Sequence, residues 1–410
     1  MEKQLEALKN VVTRVWRNNA VYRGKMEAAG IYPDDIASLA DFRKLPFTVK
    51  QDLRDSYPLG MCCASRDDVV RIHASSGTTG KPTIVPYTKG DLDVWSECMA
   101  ECLATAGVTK GDVFQVILGY GLFTGALGFH YGAERLGATV VPTGGGFTER
   151  QLLLMEDMGT TAFTSTPSYA LHLSEIVESR GLRDRLRLRL AILGGEAWTP
   201  EMGEVIERRL GVTAVNSYGL SEIMGPGVAM ECPHKTGMHF NDRHFFMEVL
   251  GEDDMPVPDG QWGELAITTL TKEAFPLIRY RTRDLASLVD GPCPCGRAGK
   301  RLARVTGRND DMLIIRGVNV FPSQVEAALA KIGGLSLNYC LEVAERGGMK
   351  ELSVICESER LLDDEGAEAL RADASRKLHE ALAIRVGVRV LRPETLERSS
   401  GKAVRVVKVA

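Results

Sequence analysis

His73-Ala74-Ser75-Ser76-Gly77-Thr78-Thr79-Gly80-Lys81-Pro82 puts four hydroxyls, two glycines and a lysine into one short run. In a core each hydroxyl would need its own partner. In a loop the same residues suit phosphate: glycine lets the backbone approach, while N–H groups, hydroxyls and an ammonium neutralise charge. The Walker pattern is absent, because it needs a glycine where Ser75 stands and a hydroxyl where Pro82 stands. Residues 69–72 before the run and 83–87 after it read as strands, so the loop joins two strands.

Outward from this loop the pattern alternates. Toward the N-terminus, residues 1–60 read as amphipathic helices and a loop, with Leu5, Leu8, Val11 and Val12 on one stripe. Toward the C-terminus, 91–106, 133–137, 151–158 and 168–178 read as helices, and 112–118, 138–141, 161–164 and 188–193 as strands. Such alternation predicts an open, mostly parallel α/β sheet whose ligands sit beyond the carboxyl ends of the strands. Three loops leave strands in that way: 164–167, 194–197 and 216–222. The stretch 240–306 is richer in β signals, at 244–250, 263–269 and 285–289, and predicts a β-rich subdomain. Beyond it, strands at 312–315 and 318–321 flank Arg316-Gly317. Ser323 with Glu326 reads as the capping box of the next helix. Residues 352–356, 367–382 and 386–391 complete a small α+β domain. The expected domains are 1–309 and 310–410, with a hinge at Asp310.

Composition removes several function classes. At 410 residues the chain suits about two or three domains. A net charge of −4 gives no general reason to bind nucleic acid or an anionic membrane. The Arg-rich stretch 180–189 reads as a solvated helix or loop. The first residues lack a secretory core, and no run approaches the roughly 20 apolar residues that span a bilayer. Nine cysteines in a chain of this length do not make a disulfide framework. The expectation is a cytoplasmic protein with reduced thiols. Cys293-Pro294-Cys295-Gly296 is a Cys-x-Cys knuckle, and with Cys232 and His239 it makes a set suited to a closed structural Zn²⁺ site. His234 competes with His239 as the fourth ligand, and bare thiols in a surface turn are the alternative. Cys62, Cys63, Cys98, Cys102, Cys340 and Cys356 read as small core residues.

Five motifs stand in one order: 75–81, Tyr218-Gly219-Leu220-Ser221-Glu222, Tyr280-Arg281-Thr282-Arg283-Asp284, Gly307-Arg308-Asn309-Asp310-Asp311 and Ser400-Gly401-Lys402. Together they resemble the adenylate-forming superfamily of acyl-CoA ligases. The wording HASSGTTGKPT, GYGLFTG, HYGAERLGATVVP, TLTKEAFPLIRYRTRDL and DDMLIIRGVNVFPSQVE is similar to its phenylacetate–CoA ligase branch, and the likeness runs from about residue 10 to the end. The resemblance implies a large α/β N-terminal domain with mostly parallel sheets and a β-rich subdomain, plus a small mobile α+β C-terminal domain. It also implies a two-step reaction. A carboxylate attacks the α-phosphate of ATP to give acyl-AMP and pyrophosphate, and the CoA thiol then displaces AMP.

Residue roles follow from the same resemblance. Ser75, Ser76, Gly77, Thr78, Thr79, Gly80 and Lys81 would hold the leaving phosphates, and Glu222 would ligate Mg²⁺. Gly195, Glu196, Ala197, Ser217, Tyr218 and Gly219 would border adenine. Asp284 would accept from the ribose hydroxyls, with Arg308 nearby. Lys402 would bridge the acid and the α-phosphate. A swing about Asp310 would exchange it for the Arg316-Gly317 hairpin, which lines the CoA tunnel. Tyr120 and Phe123 would border the aryl group. Leu118 stands where the branch often has an aromatic residue, so phenylacetate leads, with indoleacetate, another aryl acid or a non-CoA acceptor left open. The wider superfamily has glycine where this chain has Arg283. A homodimer is implied as well.

Overall fold

The computed structural model describes residues 2–75, 82–309, 311–315, 318–346, 349–399 and 402–409. The chain forms two compact units. One takes Met1–Gly145, Thr160–Thr164 and Val215–Arg304, and the other takes Gly146–Gly159, Ser165–Ala214 and Val305–Ala410.

In the first unit, strands Arg71–Ser75 and Thr83–Tyr87 pair antiparallel with Ser75 opposite Thr83, so the expected strand–loop–strand arrangement holds on both flanks. Helix Lys89–Ala106 follows at once. Its start is set by a reciprocal cap: Thr88 Oγ1 accepts from the Asp91 N–H, and Asp91 accepts from the Thr88 N–H, each at 3.0 Å. Strand Val113–Val116 pairs parallel with Thr139–Val141 and with Ala162–Ser165, as the alternation predicts. The helix between the first two is longer than expected, Gly125–Leu136 rather than 133–137. Gly125, Gly128 and Gly132 lower its local propensity, yet two of these glycines permit a close approach. A Cβ on Gly128 would lie 2.8 Å from the Trp95 ring, and one on Gly132 would lie 2.4 Å from Met99 Cβ.

Two antiparallel arrays complete this unit. The end of Thr213–Tyr218 pairs with Ala229–Glu231, which pairs with Met238–Phe240; Arg301–Leu302 and then Leu288–Val289 follow. Strands Phe245–Leu250, Gly263–Thr269 and Tyr280–Ala286 form the β-rich part, with Phe245–Leu250 buried on both faces. Arg283 takes φ 69 there, a left-handed conformation that glycine adopts without steric cost, and its N–H donates to Glu264 at 3.2 Å. This is the position where the wider superfamily has glycine.

The second unit holds strand Leu190–Gly194 and helices Thr148–Asp157, Pro167–Ser179 and Pro200–Leu210. Arg180 and Arg185 pair with Glu149 and Glu156 at 2.7 Å, so the Arg-rich stretch is a solvated surface, as expected. A four-stranded sheet runs in the order Gly387–Leu391, Met349–Ser358, Leu335–Arg346, Val406–Val409, with an antiparallel centre and parallel edges. Helix Asp364–Leu382 follows the strand Met349–Ser358. The cap of helix Pro322–Leu329 differs from expectation. Phe321 is the N-cap and Gln324 accepts its N–H at 2.9 Å, while Ser323 donates to the Thr306 carbonyl at 2.6 Å. Glu326 is drawn away because it is buried and accepts from the Thr199 N–H at 2.9 Å.

The approach of Gly132 to Met99 sets a stability test. Alanine would gain about 1 kcal/mol of helix propensity over glycine. The clash involves Met99 Cβ and main chain, which cannot rotate away, so overpacking at roughly 1–3 kcal/mol wins. Gly132→Ala should lower the urea midpoint at unchanged slope, and a midpoint at or above the parent's would contradict this packing.

Candidate functional site

In the first unit the site is built at the end of strand Thr213–Tyr218. Gly219 begins the turn there, and a Cβ on it would lie 2.9 Å from Gly225 Cα. The Ile223 and Met224 N–H groups then donate to the Leu220 carbonyl, at 3.1 and 3.0 Å. Glu222 is 4% exposed. Its Oε1 accepts from Ser75 Oγ at 3.2 Å and lies 3.6 Å from Lys50 Nζ. A buried carboxylate needs such partners, and hard oxygen donors beside it suit a small divalent cation. Tyr218 donates its hydroxyl to Asp284 Oδ2 at 2.5 Å, which orients the carboxylate, a group that only accepts and so suits a diol. The buried Ser217 hydroxyl has no hydrogen-bond partner among the described residues, as suits a group kept for a ligand.

The loop after strand Val113–Val116 carries the expected aryl contacts. Phe123 is 55% and Tyr120 38% exposed, so neither is a core residue, and Leu118 is half-buried. Tyr120 hydrogen-bonds His130 Nδ1, and His130 Nε2 in turn meets Glu134, both at 3.1 Å. Burial pushes the Tyr120 phenol up to about 12, so it stays a donor. Sequence reasoning missed His73. Burial holds this imidazole below its ordinary pKa, and its Nδ1 meets the Leu122 carbonyl at 2.9 Å. The Ala74 N–H donates to the same carbonyl at 2.9 Å. The strand that leads into the hydroxyl-rich stretch therefore also fixes the loop of Tyr120 and Phe123. Its signal in the sequence was only its place at the head of the hydroxyl-rich run.

The second unit, taken by itself, holds another group of expected residues. Gly195 has φ 89, and a Cβ there would lie 3.6 Å from Lys402 Cε. Glu196 accepts from the Ser168 N–H with one oxygen and from the Ala403 N–H with the other, each at 2.7 Å. Its carboxylate thus sits at the N-terminus of helix Pro167–Ser179, where negative charge is favoured, and ties down the main chain beside Lys402. Ser399 Oγ donates to the Lys402 carbonyl at 3.0 Å. Ala197 follows in the same loop, and Arg308 is half-buried in the short strand Gly307–Arg308. Ser76, Gly77, Thr78, Thr79, Gly80, Lys81, Asp310, Arg316 and Gly317 lie outside the described residues.

The cysteine and histidine set comes together. The ligand atoms of Cys232, His239, Cys293 and Cys295 all lie within 4.8 Å of one another. Cys232 and Cys293 sulfurs are 3.6 Å apart, too far for a disulfide and close to a shared-metal spacing, and Cys295 Sγ is 3.3 Å from His239 Nε2. Strand pairing does this, because His239 lies opposite Arg301 in the ribbon that also carries Cys232 at the end of Ala229–Glu231. His234 is exposed and outside the cluster. Burial pushes the Cys293 thiol up, but hydrogen bonds from Thr236, Cys295 and His239 outweigh it and bring it down to about 5. By contrast, burial holds Cys63, Cys102 and Cys356 up at about 12. Cys98, Cys102 and Cys356 are core residues as expected. Cys62, Cys63 and Cys340 are only half-buried, a correction that follows from their places at a turn and a strand of the surface.

Comparison with known proteins gives concordant matches. A family model described as AMP-binding enzyme matches residues 25–270, and one described as AMP-binding enzyme C-terminal domain matches 317–409. The chain is 48% identical over 410 residues to a phenylacetate-coenzyme A ligase of Escherichia coli (strain K12), covering 98% of this chain and 93% of that one. It is 46% identical over 408 residues to a phenylacetate-coenzyme A ligase of Pseudomonas putida, covering 98% and 92%. A solved structure of 2-hydroxyisobutyryl-CoA ligase in the postadenylation state with 2-HIB-AMP is similar at TM-score 0.93 and 28% identity, covering 99% of this chain and 89% of that one.

Proposed function

The chain belongs to the AMP-binding enzyme family, and from that membership we propose that it is an AMP-forming phenylacetate–CoA ligase. It joins phenylacetate to CoA at the expense of ATP, releasing AMP and pyrophosphate through an acyl-adenylate. The observation that carries this reading is near-full-length identity of 44–48% to four bacterial phenylacetate-coenzyme A ligases.

No protein nucleophile is required. In the first half-reaction a carboxylate oxygen forms a bond to the α-phosphorus and the bond to pyrophosphate breaks. Charge on the leaving phosphates is met by Lys81, by the N–H groups of Gly77 and Gly80, and by the hydroxyls of Ser75, Ser76, Thr78 and Thr79. Glu222 with Ser75 offers oxygen donors that fit Mg²⁺, which when bound neutralises phosphate charge. Asp284, oriented by Tyr218, takes the ribose hydroxyls. Ser217, Gly219, Gly195, Glu196 and Ala197 border the adenine, and Arg308 lies by the nucleotide. Lys402 bridges the acid and the α-phosphate. In the second half-reaction the CoA sulfur attacks the acyl carbonyl and AMP leaves. For this step the domain 310–410 turns about Asp310 relative to 1–309 and brings the hairpin with Gly317 to the CoA. Tyr120, Phe123 and Leu118 border the ring. The reading extends to a homodimer in a reducing cytoplasm. The nine free thiols support the reducing setting, and no helix among the described residues is long and apolar enough to cross a membrane.

Cys232, His239, Cys293 and Cys295 fit Zn²⁺, and four protein ligands leave no open position, so the metal's role is structural.

Two tests follow. Lys402→Ala should slow acyl-AMP formation by about 10²–10³ and leave thioester formation from supplied phenylacetyl-AMP near the parent rate; equal loss of both halves would refute the assigned role. Elemental analysis should find about one zinc per chain, retained by His234→Ala and lost, with a lowered melting temperature, by His239→Ala. Zinc lost with His234 and kept without His239 would reverse the ligand assignment.

A further inference from the structure

Lys272 is a buried ammonium that the mechanism leaves unused. It is 1% exposed, and its Nζ donates to two consecutive main-chain carbonyls, Glu222 at 3.0 Å and Ile223 at 2.7 Å. The faces of Tyr87 and Phe275 lie 4.8 and 5.6 Å away. Taking an ammonium out of water costs several kcal/mol unless it is well paired, and a methionine would fill the same space without that cost. What the charge contributes is a cap on the turn that begins at Leu220, whose last carbonyls have no partner within the turn.

The lysine is itself held from a rigid element. Asp91, in the capping box of helix Lys89–Ala106, accepts from the Glu273 N–H at 2.6 Å and from the Ala274 N–H at 3.0 Å. Thr88 donates its hydroxyl to the Glu273 carboxylate at 2.7 Å. A continuous set of contacts therefore runs from the helix start through 272–274 to the main chain of Glu222, whose carboxylate is held on its other side by Ser75.

We infer that Lys272 is a positioning residue for the adenylation half-reaction: by fixing the main chain at Glu222 and Ile223 it aims the Glu222 carboxylate at the Mg²⁺ that accompanies ATP. This rests on the reading of Glu222 as the Mg²⁺ ligand. The Mg²⁺ dependence of binding separates aiming from plain packing. Calorimetry on the full chain would measure affinity for a non-hydrolysable ATP analogue with and without Mg²⁺, in the parent, Lys272→Met and Glu222→Gln. Lys272→Met should lose roughly tenfold to hundredfold of the Mg²⁺-dependent gain, with metal-free affinity and thioester formation from supplied acyl-AMP unchanged. A gain lost only in Glu222→Gln would overturn the role of Lys272, as would equal weakening with and without Mg²⁺. A gain retained in both variants would remove the reading of Glu222, and this inference with it. Should Lys272→Met fail to fold, Asp91→Asn, which weakens the anchor of 272–274, carries the test: the gain should fall in the same direction, and an unchanged gain would overturn the inference.

Discussion

The hydroxyl of Ser75 reaches the buried carboxylate of Glu222 at 3.2 Å across 147 positions of sequence. A carboxylate taken out of water demands such partners, and the first unit is arranged to supply them. The antiparallel strands around the hydroxyl-rich stretch bring Ser75. The turn after Tyr218 brings Glu222, and Gly219 and Gly225 let that turn close. The strand of Ser75 also binds Leu122 through His73 and Ala74, so one strand holds both Ser75 and the loop of Tyr120 and Phe123. An enzyme that handles phosphate without a protein nucleophile depends on such preorganised charge.

The metal set obeys a different constraint. Its four side chains come from strand Met238–Phe240, the end of Ala229–Glu231 and the loop that leads into Arg301–Leu302, where the strands are short but buried in a larger sheet. A closed four-ligand centre there would tie the loop that carries Cys293 and Cys295 to these strands.

Much of this was legible in the sequence because local signals agreed. Strand Thr83–Tyr87 and strand Gly263–Thr269 fall where the pattern puts them, and helix Lys89–Ala106 begins at Lys89 rather than Asp91 because Thr88 and Asp91 cap it. Legibility failed where a residue serves a distant partner. The pattern puts only 133–137 in the helix that runs Gly125–Leu136, where Gly128 and Gly132 are contacts with the neighbouring helix. Glu326 reads as a capping residue but turns inward to Thr199. Spacing left His234 and His239 as alternatives, and strand register puts His239 rather than His234 beside the three cysteines. Lys272 carries no spacing signal at all, since its acceptors are carbonyls about 50 positions away. Arg283 was visible as a departure from glycine, and its positive φ explains why glycine suits that position.

The central claim is that these residues serve phenylacetate activation and transfer to CoA. The most direct measurement is AMP release from ATP and Mg²⁺ with a panel of aryl acids, each with and without CoA. The account predicts sustained AMP release that needs both phenylacetate and CoA and yields the thioester. Sustained release only with another aryl acid would contradict the assigned substrate, and acid-dependent pyrophosphate exchange that CoA never turns into thioester would contradict the ligase itself.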